Sequence, residues 1–66
     1  MHQVTIVFMD SEIAYGEGES RGYAFDEASE NIPEEYEQHL EHLTVIILSK
    51  DKRLELSFDD ALKLMH

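Results

Sequence analysis

Cysteine is absent from the 66 residues, which excludes disulfides and thiolate zinc sites and fits a reducing compartment. Bases are scarce: 5 lysines and arginines stand against 15 aspartates and glutamates, a formal net charge of −10. Such a surface repels phosphate, so neither nucleic acid nor an anionic membrane is an expected direct partner. No apolar run approaches the roughly 20 residues that span a bilayer. The opening MHQVTIVFMD lacks a cationic segment, and its apolar run is too short for a signal peptide. The expectation is a soluble, cytoplasmic protein.

Catalytic and metal motifs are equally sparse. HExxH is missing. A calcium loop starting at Asp10 fails at Ala14, Tyr15 and Arg21, where a ligand, a glycine and a bidentate glutamate are required. Glycines 16, 18 and 22 miss the dinucleotide-binding spacing by one residue. The serines sit in turn or cap contexts, and paired carboxylates need a pocket that separates their pKa values before they do acid–base work. A two-layer domain of this size rarely encloses one, so neither an enzyme nor a cofactor is expected. The weak metal candidates are Glu35, His39 and His42, on one edge of a predicted helix.

What the chain does contain is periodicity, and 42% of it is hydrophobic, which argues against disorder. Thr44 to Phe58, TVIILSKDKRLELSF, reads as a β-hairpin. Its first strand is apolar enough to be covered on both faces, and its second alternates Leu54, Leu56 and Phe58 with polar residues. His2 to Met9 alternates as an internal strand, with Val4, Ile6 and Phe8 on one face. Glu12–Tyr15 and Arg21–Phe25 read as a second and third strand, joined by a mobile acidic tip, Gly16 to Ser20.

Asn31-Ile32-Pro33-Glu34-Glu35 is a helix start, with proline suited to the first turn and acids to the positive end of the dipole. A helix from Pro33 to about Leu43 would place Ile32, Tyr36, His39, Leu40 and Leu43 within about 100° of arc, facing the sheet. Ser57 precedes Asp59 and Asp60 as a cap, and Phe58, Ala61, Leu62 and Met65 share a helical face. The order is β-β-β-α-β-β-α: one α+β domain, residues 1–66, with an antiparallel sheet packed on one face by a main helix and a short C-terminal helix. A chain this small buries only roughly 60% of its unfolded surface. A homodimer, or binding to a larger target, is the expected supplement.

The charge is lopsided. Residues 1–43 carry eleven acids and one base, net −10; residues 44–66 carry four of each, net zero. Glu34, Glu37 and Glu41 form a ridge on the predicted helix, with Glu12, Glu17, Glu19, Glu27 and Glu30 on adjacent loops. Tyr15 and Tyr23 lie near the acidic tip as candidate interface anchors. Duplex DNA carries roughly one charge per 1.7 Å of axis, and carboxylates on a rigid helix and hairpin can imitate part of that array. In size and acidity the chain resembles small phage or mobile-element proteins that inhibit DNA-acting host enzymes: anti-restriction, anti-CRISPR and glycosylase-inhibitor proteins. That resemblance implies a non-enzymatic inhibitor docking on the basic, nucleic-acid-binding surface of a target protein. The alternatives are a small structural or regulatory homodimer and a metal-binding module.

Overall fold

The computed structural model describes residues 1–65. The chain runs β1 (His2–Phe8), β2 (Ser11–Gly18), α1 (Arg21–Glu30), a 3₁₀ segment (Glu34–His42), β3 (Leu43–Ser49), β4 (Lys52–Ser57) and α2 (Phe58–Met65). The strands form one antiparallel sheet in the order β2-β1-β3-β4. β1 is internal, as its alternation implies. The register aligns Val4 with Ile47 and Ile6 with Val45, so one face gathers the apolar positions of both central strands. Against that face α1 buries Ala24, Phe25 and Ala28, and α2 buries Phe58 and Ala61. The α+β class and one-sided helix packing agree with the sequence reading. Among the described residues, no helix is long and apolar enough to cross a membrane.

Three segments differ outright from expectation, each for a physical reason, and a fourth, β3, differs in part. Arg21–Phe25 is the first half of α1 instead of a third strand. The Ser20 side chain accepts the Tyr23 backbone N–H at 3.1 Å and caps the helix. Ala24, Phe25 and Ala28 stand at helical spacing and give the helix a buried face. The supposed mobile tip at Gly16 to Ser20 is structured as well: β2 continues through Gly18, and Gly16 and Gly18 are buried. A β-bulge between the Ile6 and Val7 pairings leaves Ile13 without a partner, and both Ile13 and Ala14 reach the core.

The expected helix from Pro33 is the third departure. It is 3₁₀, kinked at His39 (φ −124°, ψ 25°), and buries none of its residues fully. Its intended anchor, Leu43, instead opens β3 opposite Phe8, which leaves too small an apolar face to hold an α-helix. His39, expected against the sheet, is exposed, its ring 6.1 Å from that of Phe8. β3 also departs in part. Leu43, Val45 and Ile47 are buried, while Ile46 and Leu48 lie on the opposite sheet face, where Leu48 is 38% exposed. The helix-free face thus carries Thr5, Tyr15, Ile46 and Glu55 across one row of the register.

The β1–β2 turn holds Met9 and Asp10 at φ of 53° and 69°, the sign pattern of a type I′ hairpin. A methionine in left-handed backbone costs about 1–2 kcal/mol, and this one is exposed. Replacing Met9 and Asp10 with Asn-Gly is expected to stabilise the protein by about 1 kcal/mol. The melting temperature should then rise by roughly 4–8 °C in a circular dichroism melt. An unchanged or lower midpoint would show that the turn is not strained.

Candidate functional site

The site is built on α1. With Ala24, Phe25 and Ala28 committed to the core, the helix turns Tyr23, Asp26, Glu27 and Glu30 to solvent. Tyr23 is 63% exposed, and one edge of its ring lies against the strand. A Cβ on Gly18 would meet the Tyr23 ring at 2.4 Å, so the ring lies over bare backbone at the end of β2. At the other end of α1, the Asn31 side chain donates to the Tyr15 carbonyl at 2.9 Å and ties the helix to the same strand.

Tyr23 and Glu27 form the shared wall of two surface grooves. One, of about 700 Å³, also takes in Met1, Glu17 and Glu19. The other, of about 370 Å³, adds Asp26, Glu30 and Asn31. The result is an aromatic side chain set in a rim of carboxylates. Among the described residues the ion pairs are Arg53–Glu55, Lys63–Asp59 and His42–Glu41; Glu17, Glu19, Glu27 and Glu30 take part in none of them. Their negative potential is therefore not cancelled locally by the chain's own cations.

Of the ten residues predicted for docking, the structure brings together Glu17, Glu19, Tyr23, Glu27 and Glu30. Glu12 and Tyr15 are exposed on β2, and the register places them on the helix-free face of the sheet together with Glu17, which reaches the groove from that side. Glu34, Glu37 and Glu41 fall on the 3₁₀ segment, where a three-residue period aligns Glu34 with Glu37 and the kink at His39 takes Glu41 out of line. They do not form the straight ridge an α-helix would give. Met1 and Asp26 also line the grooves and were not singled out from the sequence. The Ser20 cap followed by Tyr23 and Glu27 at i, i+4 was the available signal. Among the described residues, no group of three or more His, Asp or Glu side chains is placed to hold a metal ion, and Glu35, His39 and His42 are not gathered into one. His42 instead lies 3.5 Å from Glu41.

On the neighbouring edge, the Tyr15 hydroxyl donates to Glu17 Oε2 at 3.0 Å. Partial loss of solvent, then that hydrogen bond and the Glu17 charge, push the Tyr15 phenol above its ordinary value of 10.0. A raised pKa means the folded state favours the protonated phenol. Its stabilisation is present below pH 10 and is lost as pH rises through the shifted value. Subtracting the ultraviolet titration of Tyr15→Phe from that of the wild type should reveal a phenolate forming above pH 10. Glu17→Gln should move it downward; a midpoint at or below 10 in the wild type would contradict the interaction.

No family model matches the chain, and neither a curated protein nor a solved structure is significantly similar to it.

Proposed function

We propose that this protein is a non-enzymatic, acidic protein-binding inhibitor. It docks the exposed face of α1 on a basic, nucleic-acid-binding surface of a target protein, in the cytoplasm. The observation that carries this reading is Tyr23: a largely exposed aromatic ring, lying against Gly18 and flanked by Glu19, Glu27 and Glu30, which are outside every described ion pair. Interfaces concentrate binding energy in a few aromatic anchors surrounded by a rim that excludes water. Complementary charge adds speed and selectivity of association. An array of carboxylates spaced along a helix and a strand end meets lysine and arginine side chains that otherwise bind phosphates, which is the sense in which it imitates DNA.

The test is capture of a nucleic-acid-binding protein from a host lysate, followed by competition. Wild-type protein should retain a target that duplex DNA displaces, with affinity falling as salt rises from 50 to about 300 mM. Tyr23→Ala should weaken the complex by roughly 30-fold, the size of a hot-spot truncation. Joint reversal of Glu19, Glu27 and Glu30 to lysine should weaken it by more. Capture that ignores salt and the reversal, or a complex to which DNA still binds, would remove the proposal.

A second reading rests on the helix-free face of the sheet, where Val7 and Ile46 are half-buried and Leu48 is exposed. Covering that face with a second copy would give a homodimer. Sedimentation at micromolar concentration decides it, since a monomer there excludes a stable dimer.

A further inference from the structure

The chain's few cations are not dispersed among its many acids. Lys50, Lys52 and Arg53 lie on and beside the β3–β4 turn, and Arg21 is the first residue of α1. The fold brings Arg21, Lys52 and Arg53 to one groove of about 560 Å³, together with His2, Ser49, Ile47 and Leu54. An adjoining depression adds Lys50 and, with it, one carboxylate, Asp51. Four of the five lysines and arginines in the sequence therefore collect at one end of an acidic molecule.

Two features distinguish this groove from a chance gathering of surface charge. The first is incomplete internal neutralisation. Arg53 pairs with Glu55 at 3.0 Å, but Arg21, Lys50 and Lys52 are in no ion pair among the described residues. Cations in excess of the nearby carboxylates, Asp51 and Glu55, repel one another, and a bound anion relieves that repulsion. The second feature is the floor. The register pairs His2 with Ser49 and Ile47 with Leu54 on the helix-bearing side of the sheet. His2 Nδ1 and Ser49 Oγ are hydrogen-bonded to each other, which fixes the polar end of the floor. Leu54, 39% exposed, supplies an apolar end beside Ile47.

We infer that this groove binds a small molecule bearing a phosphoryl group and a compact apolar body. The phosphoryl group would sit between Arg21 and Lys52, and the body over Leu54. The volume falls in the range of small-ligand sites, about 300–1,000 Å³. A phosphomonoester carries roughly −1.5 to −2 charge at neutral pH, a better match to several unpaired cations than one carboxylate. A polyanion such as nucleic acid is disfavoured, because Glu17 and Glu19 stand within four residues of Arg21 in the chain and would meet its flanking phosphates. This inference is independent of the α1 docking face and does not use it.

The experiment is a titration of ¹⁵N-labelled protein followed by amide chemical shifts, at constant ionic strength, with phenyl phosphate, inorganic phosphate and benzyl alcohol as probes. Saturable shifts are expected at His2, Arg21, Ser49, Lys52 and Leu54, with phenyl phosphate binding about tenfold more tightly than inorganic phosphate and benzyl alcohol not binding. Arg21 and Lys52 are exposed, so the double variant Arg21→Gln/Lys52→Gln should fold, as a thermal melt checks. It should lose at least tenfold in affinity, whereas Lys63→Gln, outside the groove, should lose none. Shifts that stay linear to 20 mM, an equal loss in Lys63→Gln, or undiminished binding by the double variant would overturn the inference. So would shifts at these residues that track protein concentration without any probe, since a second copy's acidic face would then be the occupant.

Discussion

Gly16→Ala is expected to unfold much of the population at room temperature. A Cβ built on Gly16 lies 2.3 Å from the Ala28 nitrogen, 2.5 Å from the Ala24 carbonyl oxygen and 2.9 Å from the Ala28 Cα. All three are backbone atoms, so no side chain can swing away and α1 itself must retreat from β2. Moving the helix opens the contacts of Ala24, Phe25 and Ala28, each at most 1% exposed. Overpacking of this kind costs about 3 kcal/mol or more when the backbone has to shift. Total stability for a chain of this length is on the order of 3–10 kcal/mol. The melting temperature should fall by at least about 12 °C, or the cooperative transition should disappear. Gly22→Ala is the control. Nothing lies within 4 Å of the added methyl group, and the better helix former should stabilise by about 0.5–1 kcal/mol. A Gly16→Ala variant that melts within a few degrees of the wild type would mean that α1 does not sit this close to the sheet.

Phe25→Ala is the second large effect. Phe25 is 1% exposed, the largest of the fully buried side chains, and its ring lies 5.6 Å from that of Phe58, tilted at 45°. That pair joins α1 to the first residue of α2. Truncation removes the burial of one ring and leaves a cavity, about 3–5 kcal/mol, with roughly 0.5–1.5 kcal/mol more from the lost ring contact. Urea unfolding should show a midpoint near or below zero denaturant, with weakened near-ultraviolet ellipticity. Phe58→Ala should cost roughly 0.5–1.5 kcal/mol less in the Phe25→Ala background than in the wild type, because the ring contact is already gone while the burial of Phe58 is still lost. Two independent, additive losses would indicate that the rings do not form one unit.

The β3–β4 hairpin and α2 were legible in the sequence because local and tertiary preferences agree there. Leu54 and Leu56 alternate as their register requires, and Ser57 Oγ accepts the Asp60 N–H at 3.1 Å as a cap should. β1 was legible for the same reason. Residues 16–25 were misread because their decisive interactions are non-local. Gly16 is small to admit a helix twelve residues further on, a requirement that looks identical in sequence to the needs of a flexible turn. The 3₁₀ segment failed differently: a good start signal at Pro33 and a plausible apolar face were overridden when Leu43 paired with Phe8. The candidate site inherited these errors. Glu27, Glu30 and Tyr23 were named but assigned to loops and a strand, and their convergence on one helix face depended on recognising α1. The basic groove was only half visible in the sequence: Lys50, Lys52 and Arg53 are neighbours there, but Arg21 joins them from thirty-one positions before Lys52.

The sheet topology also sets the timing of assembly. Each hairpin closes through a two-residue turn and can form locally within microseconds. The seam between β1 and β3 is different: it joins His2 to Ser49, 47 positions away, and must bear a far larger loop-closure entropy. During synthesis β1 therefore waits with one edge unsatisfied until residues 43–49 have emerged, and VTIVF is a strand segment prone to pairing with other chains. Substitutions along that seam should act chiefly on the refolding limb of a chevron plot, whereas those at the Met9 turn alter a step already completed.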